Sequence, residues 1–270
     1  MKIAAVQMVS STSADRNAEA ARRLVKEAAL GGAELVALPE YFCFMGRSDR
    51  DKLAIAEAPG DGPLQRMLSE TAREHRIWLI GGTLPIRSDD PDRVLNANCV
   101  YAPDGTLAVR YDKIHLFKYD NGRERYDEGA AIRAGTEPMT FQAGAVRVGL
   151  SVCYDLRFPE LYRALMHPPC DLISVPAAFT HTTGLAHWEL LLRARAVENQ
   201  CYVIAAAQGG THENGRRTYG HSMVVDPWGM VLNVLPEGEG VVLAEIDPAR
   251  IASVRTQLPA LEHRRGIAVN

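Results

Sequence analysis

Short apolar runs follow one another along this chain in a fixed order, and the order occurs twice. Ile3-Ala4-Ala5-Val6-Gln7-Met8 has a counterpart in Val148-Gly149-Leu150-Ser151-Val152-Cys153, and Glu34-Leu35-Val36-Ala37-Leu38-Pro39 in Asp171-Leu172-Ile173-Ser174-Val175-Pro176. Trp78-Leu79-Ile80-Gly81 answers to Tyr202-Val203-Ile204-Ala205, and Val100-Tyr101-Ala102-Pro103-Asp104-Gly105 to Val224-Val225-Asp226-Pro227-Trp228-Gly229, with one shared offset. Internal repetition of this kind restricts the architecture more than any single residue does. Strands that are apolar almost throughout must be covered on both faces. The segments between them carry helical periodicity, which indicates a layered α/β fold. Two halves of strand, helix, strand, helix, strand and hairpin satisfy both demands by packing sheet against sheet with helices outside. The expectation is therefore a four-layer αββα sandwich with an internal pseudo-two-fold repeat, forming one domain over residues 1–270.

Local signals set the boundaries. Ser13 or Asp15 is placed to cap a helix running to about Leu30, ended by Gly31-Gly32. A second helix fits Pro63 to about His75, and a third Ala186 to Asn199. Pro103-Asp104-Gly105 joins two strands as a turn. With 47% hydrophobic and 23% charged residues and a net charge of −3, the composition gives no reason to expect nucleic acid or an acidic membrane as partner. The first residues read as a strand rather than a signal peptide, and no apolar stretch approaches the roughly 20 residues of a membrane span. Five cysteines, odd in number and without a CxxC pair, suggest free thiols in a reducing cytoplasm.

Three reactive side chains each follow an expected strand: Glu40 after Leu35-Val36-Ala37-Leu38-Pro39, Lys113 after Leu107-Ala108-Val109-Arg110-Tyr111, and Cys153 after Val148 to Val152. Sites in layered α/β proteins gather at the carboxyl ends of strands, so these three can share one pocket. A carboxylate, an ammonium and a thiol together suit nucleophilic attack on a carbon bonded to nitrogen. Cys43, Cys99, Cys170 and Cys201 lack such company and read as small buried hydrophobes.

Leu38-Pro39-Glu40, Tyr111-Asp112-Lys113-Ile114-His115-Leu116-Phe117 and Val152-Cys153-Tyr154-Asp155-Leu156-Arg157-Phe158-Pro159-Glu160 resemble the three catalytic segments of the nitrilase superfamily of carbon-nitrogen hydrolases. Ala186-His187-Trp188-Glu189, Arg193 to Asn199 and Tyr219 to Gly229 extend the resemblance towards the Nit branch, meaning the omega-amidases and deaminated glutathione amidases. Ala205-Ala206-Ala207-Gln208 and His263-Arg264-Arg265 lean towards the latter. The resemblance implies the αββα fold, a cytoplasmic protein and a homodimer or higher homo-oligomer. It implies Cys153 as nucleophile, Glu40 as general base, and Lys113 with a backbone N–H near Tyr154 stabilising the oxyanion. It maps a second active-site glutamate onto Glu128, with Glu124 and Asp127 as the alternatives for that role.

Substrate contacts are expected at Tyr154, Arg157, Phe179 and Thr180. Arg157 reads either as an internal ion pair with Asp155 or Glu160 or as a binder of a substrate carboxylate. Phe179 to Thr183 reads as a polar loop after a strand, bordering the pocket, and His187 as a structural histidine. The histidines show no zinc-site spacing, and there is no GxGxxG, GxSxG or Walker sequence, so neither metal nor cofactor is expected. The function expected is a thiol amidohydrolase of a small carboxylated amide, foremost deaminated glutathione. An omega-amidase acting on alpha-ketoglutaramate, an N-carbamoyl amidohydrolase or nitrilase, and a scaffold retaining the fold stand as alternatives.

Overall fold

The computed structural model describes residues 1–265; residues 266–270, the end of the expected 1–270 domain, lie outside the described residues. The first half runs β1 (Lys2–Gln7), α1 (Ala14–Leu30), β2 (Leu35–Ala37), α2 (Pro63–His75), β3 (Trp78–Ile80), β4 (Leu84–Arg87), β5 (Val94–Tyr101) and β6 (Leu107–Asp112). A small ribbon, β7 (Lys118–Asp120) with β8 (Arg125–Asp127), and a short β9 (Ile132–Arg133) follow. The second half contains β10 (Thr140–Ala143), β11 (Val146–Leu150), α3 (Pro159–Ala164), β12 (Leu172–Ser174), α4 (His181–Asn199) and β13 (Tyr202–Ala205). It continues through a ribbon of β14 (Gly209–Thr211) and β15 (Arg217–Tyr219) to β16 (Ser222–Val225), β17 (Val231–Leu235), β18 (Gly240–Glu245) and α5 (Pro248–Gln257).

Two sheets result, ordered β18-β1-β2-β3-β5-β4 and β10-β11-β12-β13-β16-β17, with β6 and β9 also pairing to β5. The repeat holds residue by residue. Ile3 lies opposite Leu35 and Leu35 opposite Trp78, while their counterparts Val148, Leu172 and Tyr202 pair in the same way. Leu79 faces Tyr101 across an antiparallel step, and Val203 faces Val225 across the equivalent one.

The strand period of two sorts the first sheet's side chains between layers. Ile3, Ala5, Leu35, Ala37 and Ile80 pack into one core with Val148, Leu150, Leu172 and Ile173 of the other sheet. Ala4, Val6, Val36, Leu38 and Leu79 point the opposite way, into a second core with Leu24 and Val25 of α1 and Met67 and Leu68 of α2. Helix α1 buries Ala21, Leu24, Val25 and Ala28, the three-and-four spacing of one helical face.

Ser13 caps α1 by accepting from the Arg16 N–H, and Gly32, at φ +85°, carries the chain away from its end. In the Pro103-Asp104-Gly105 turn, Asp104 accepts from the backbone N–H and hydroxyl of Thr106. Helix α4 corrects the expected boundary: it begins at His181, not Ala186, with Thr180 as N-cap accepting from the Thr183 N–H. Thr182, Thr183 and Gly184 are weak helix formers, and tertiary contact overrides that weakness. A Cβ on Gly184 would lie 2.3 Å from Cβ of Tyr219, so only glycine lets the helix approach β15 this closely.

Candidate active site

Glu40, Lys113 and Cys153 all stand just beyond strand ends, after β2, β6 and β11, and all three are buried. At two of these ends the chain turns through left-handed backbone: Tyr41, next to Glu40, has φ +55° and Cys153 itself φ +49°. Such a conformation is costly for a residue other than glycine, and surrounding bonds must hold it. For Cys153, the backbone N–H donates to Pro176 O at 2.9 Å. Buried Asp155 ties down the same turn, accepting from Val152 N (2.8 Å), Tyr111 Oη (2.7 Å) and His115 N (3.0 Å), with His115 Nδ1 at 2.7 Å. One carboxylate thereby locks the thiol's turn to the segment that carries Lys113.

Lys113 Nζ is held between two carboxylates, 2.9 Å from Glu40 Oε1 and 3.0 and 2.8 Å from Glu128 Oε1 and Oε2. Glu40 Oε1 also accepts from Asn96 Nδ2 (2.9 Å), and Oε2 from the Ala178 N–H (3.0 Å). Glu128 accepts further from Tyr41 Oη and Phe117 N, both at 2.7 Å. The other two acids of that segment lie at the surface: Asp127 pairs with Lys118, and Glu124 meets Thr182. Glu128 is therefore the carboxylate that reaches the lysine.

Burial alone would lower the Lys113 pKa, but Glu128 and Glu40 outweigh it and hold the ammonium above its usual range. Burial likewise pushes Glu128 up, yet Lys113, the Phe117 amide and the Tyr41 hydroxyl together hold it below the usual carboxylate range. Burial, reinforced by Glu40, pushes the Cys153 thiol well up despite Lys113. Burial and Glu40 thus both favour the protonated form of the Cys153 thiol, which lies in the same pocket as the Glu40 carboxylate. Burial also pushes Cys43 and Cys99 up to about 12 and Cys170 up to about 11, in keeping with inert thiols.

One pocket brings Glu40, Glu128 and Cys153 together with Tyr154, Arg157, Phe179 and Thr180, the four residues expected to contact substrate. Thr180 enters it as the N-cap of α4 and Phe179 from the loop residue just before that cap, so the expected loop ends at Thr180 and His181 to Thr183 already belong to the helix. Phe179 packs on Trp188, their ring centroids 4.8 Å apart. Arg157 makes neither of the internal ion pairs considered for it. The oxygens of Asp155 are already taken by the turn, and the guanidinium lies over the rings of Tyr154 and Phe179 at 5.8 and 5.3 Å. Its polar neighbour is His187 Nδ1 at 3.3 Å, an exposed side chain of α4 outside the pocket lining.

Sequence reasoning passed over Asn96, Tyr41 and Arg216. Asn96 and Tyr41 act by hydrogen bonds across strands that only the assembled sheet brings together. Arg216 follows Asn214-Gly215, a turn sequence that usually marks solvent-facing residues, yet its side chain folds back to line the pocket. The direction of that side chain is set by the folded turn and leaves no mark in the local sequence.

Comparison with known proteins agrees with this geometry. The sequence profile of the Carbon-nitrogen hydrolase family matches residues 2–256. A deaminated glutathione amidase of Synechocystis sp. is 41% identical over 265 residues, covering 97% of each chain. Among solved structures, Nit3 of Saccharomyces cerevisiae, a member of branch 10 of the nitrilase superfamily, superposes with a TM-score of 0.89 at 31% identity, covering 98% of this chain and 97% of that one. The C. elegans NitFhit protein gives a TM-score of 0.89 at 42% identity, where this chain covers 65% of the longer partner and 98% of itself is matched. The chain belongs to the carbon-nitrogen hydrolase family of the nitrilase superfamily.

Proposed function

We propose that the protein hydrolyses the amide of deaminated glutathione through an acyl-enzyme on Cys153. The observation that carries this reading is the buried array in which Lys113 joins Glu40 to Glu128 beside the thiol. Glu40 Oε1 already receives two donors and Oε2 one, so Oε2 keeps capacity to take the sulfur proton. Sulfur attacks the amide carbon, and the carbonyl electrons move to oxygen, where Lys113 and the Tyr154 backbone N–H stabilise the negative charge. The carbonyl re-forms, the C–N bond breaks, and the amine leaves with the proton that Glu40 holds. Water then loses a proton to Glu40 and attacks the thioester; the C–S bond breaks and the proton returns to sulfur, freeing the acid. Glu128 fixes Lys113 and keeps it charged throughout. No cofactor enters this sequence.

The substrate is proposed from the name of the Synechocystis relative and from the Nit-branch segments of the sequence. We further infer that the described residues act as one hydrolase domain, that the protein is cytoplasmic, and that it assembles as a homodimer or higher homo-oligomer. No helix among the described residues is long and apolar enough to cross a membrane. Leu185, Leu190 and Val197 of α4 and the adjoining Trp228 and Met230 are exposed apolar side chains, which supports self-association.

Product analysis by mass spectrometry tests the reading, with wild-type protein and Cys153→Ala each given deaminated glutathione and, separately, alpha-ketoglutaramate. Turnover of deaminated glutathione by the wild type and its loss in the variant are expected. Hydrolysis of alpha-ketoglutaramate alone would transfer the assignment to the omega-amidases. Turnover of neither would overturn the amidase reading and direct attention to nitriles and carbamoyl compounds.

A further inference from the structure

Two guanidinium groups border the pocket of Cys153, and among the described residues neither is paired with a carboxylate. Arg216 reaches in from the turn between β14 and β15. Its Nη2 donates to Ala178 O at 2.9 Å, its cation lies 5.0 Å from the Tyr126 ring centroid, and Nη1 meets only the Met45 sulfur at 3.9 Å. Its Nε is buried with no hydrogen-bond partner. Asn214 fastens this turn: Oδ1 accepts from Arg216 N at 2.9 Å while Nδ2 donates to Gly46 O at 2.6 Å. Arg157 lies at the more open rim, stacked over Tyr154 and Phe179 beside His187.

A buried guanidinium donor without an acceptor is unfavourable and awaits an anion. The planar fork of arginine matches a carboxylate. The two arginines differ in depth, and a hydrolase with a covalent intermediate uses depth asymmetrically. The acyl part must stay inside beside Glu40 and Cys153 until water arrives, whereas the amine part must depart through the rim.

We propose that Arg216 anchors the carboxylate of the substrate's acyl part and Arg157 the carboxylate of its departing amine part, so that the pocket measures a substrate acidic at both ends. This rests on the amidase reading above. Deaminated glutathione carries one carboxylate on each side of the scissile amide and engages both arginines. Alpha-ketoglutaramate has only the acyl-side carboxylate, releases ammonia and engages Arg216 alone. The rival role for Arg216 is charge balance, since Glu40 and Glu128 together exceed Lys113 by one negative charge.

The test combines kinetics with protection of the thiol. Arg216→Gln is expected to raise KM about tenfold or more for both compounds, the size expected for losing a charged hydrogen bond. Arg157→Gln is expected to raise KM for deaminated glutathione more than for alpha-ketoglutaramate. Independently of turnover, alpha-ketoglutarate should shield Cys153 from iodoacetamide in the wild type and fail to do so in Arg216→Gln at the same concentration. Arg216→Lys separates the rival role, because it restores charge balance without restoring the fork. Equal protection in wild type and Arg216→Gln, or full recovery of KM in Arg216→Lys, would overturn the proposal. Arg216-dependent protection in a wild type that hydrolyses neither compound would sustain the anchor while removing the amidase reading on which substrate identity depends.

Discussion

A single ammonium between two carboxylates sets the electrostatics of this site. Removing one member leaves buried charge uncompensated, so Lys113→Met is expected to lower stability by about 3–5 kcal/mol, measured by urea unfolding, beyond its effect on rate. Glu40→Gln keeps the shape but turns one accepting oxygen into an NH2 that faces a donor; it also removes the base, and should lower kcat/KM by about 10²–10⁴. The pH dependence follows from the directions of the shifts. Glu128 is held below its usual range, so its contribution to stability is present above about pH 4.3 and is lost as pH falls through its folded value. Lys113 is held above its usual range, so its contribution is complete below about pH 10.4 and is lost as pH rises through the folded value. Thermal unfolding of Lys113→Met/Glu128→Gln across pH should show both limbs flattened relative to wild type; unchanged limbs would contradict the coupling. Glu40, Lys113 and Cys153 were legible as residues because each follows an apolar strand-like run, whereas Glu128 was legible only through the resemblance and as one of three acids, and its reach to Lys113 needed the fold. Asn96 and Tyr41 were not, since their hydrogen bonds to Glu40 and Glu128 leave no mark in their local sequence. Arg157 was legible as a choice between an internal pair with Asp155 or Glu160 and a substrate carboxylate; the oxygens of Asp155 are taken by the turn, and the guanidinium lies over Tyr154 and Phe179 instead of meeting Glu160.

Elements matter here chiefly through their ends. The strained turn at Cys153 persists because Asp155 accepts from Val152, Tyr111 and His115 at once. Asp155→Ala would strand these buried donors, and a loss of about 3 kcal/mol or more is expected by denaturant unfolding, together with loss of activity. A small effect on both would show that the turn holds without its carboxylate. The cap of α4 performs two tasks, since Thr180 both starts the helix and lines the pocket. Thr180→Ser should keep stability within a few tenths of a kcal/mol while Thr180→Ala loses about 1 kcal/mol, readable as the difference in urea midpoint. Helix α2 was legible from Pro63 at its first turn to about His75, and it ends at His75 before the strand at Trp78. The first turn of α4 was not, because Gly184 owes its helical place to contact with Tyr219 on a distant strand.

At the scale of the whole molecule, the repeat read from the apolar runs is matched by the pairing register of both sheets, and the shared core joins residues of both halves. Neither half covers its inner face alone, so urea unfolding followed by fluorescence and by circular dichroism should give coincident transitions; two separated transitions would show that the halves are independent. Sedimentation equilibrium should find the wild type assembled and Leu190→Glu shifted towards monomer, whereas an unaffected assembly would place the contact elsewhere. The repeat was visible because strands buried on both faces keep an apolar signature, while the ribbon that brings Arg216 inward left only a turn sequence behind. The central claim is that one buried thiol carries the acyl group of the substrate. The most direct measurement is rapid-quench mass spectrometry of the intact protein with peptide mapping, using deaminated glutathione and alpha-ketoglutaramate in separate reactions. These compounds share an acyl part and differ in their amine, so the account predicts an adduct of identical mass from both, located on Cys153 and absent from Cys153→Ala. Adducts of different mass, an adduct on another residue, or turnover that survives in Cys153→Ala would contradict it.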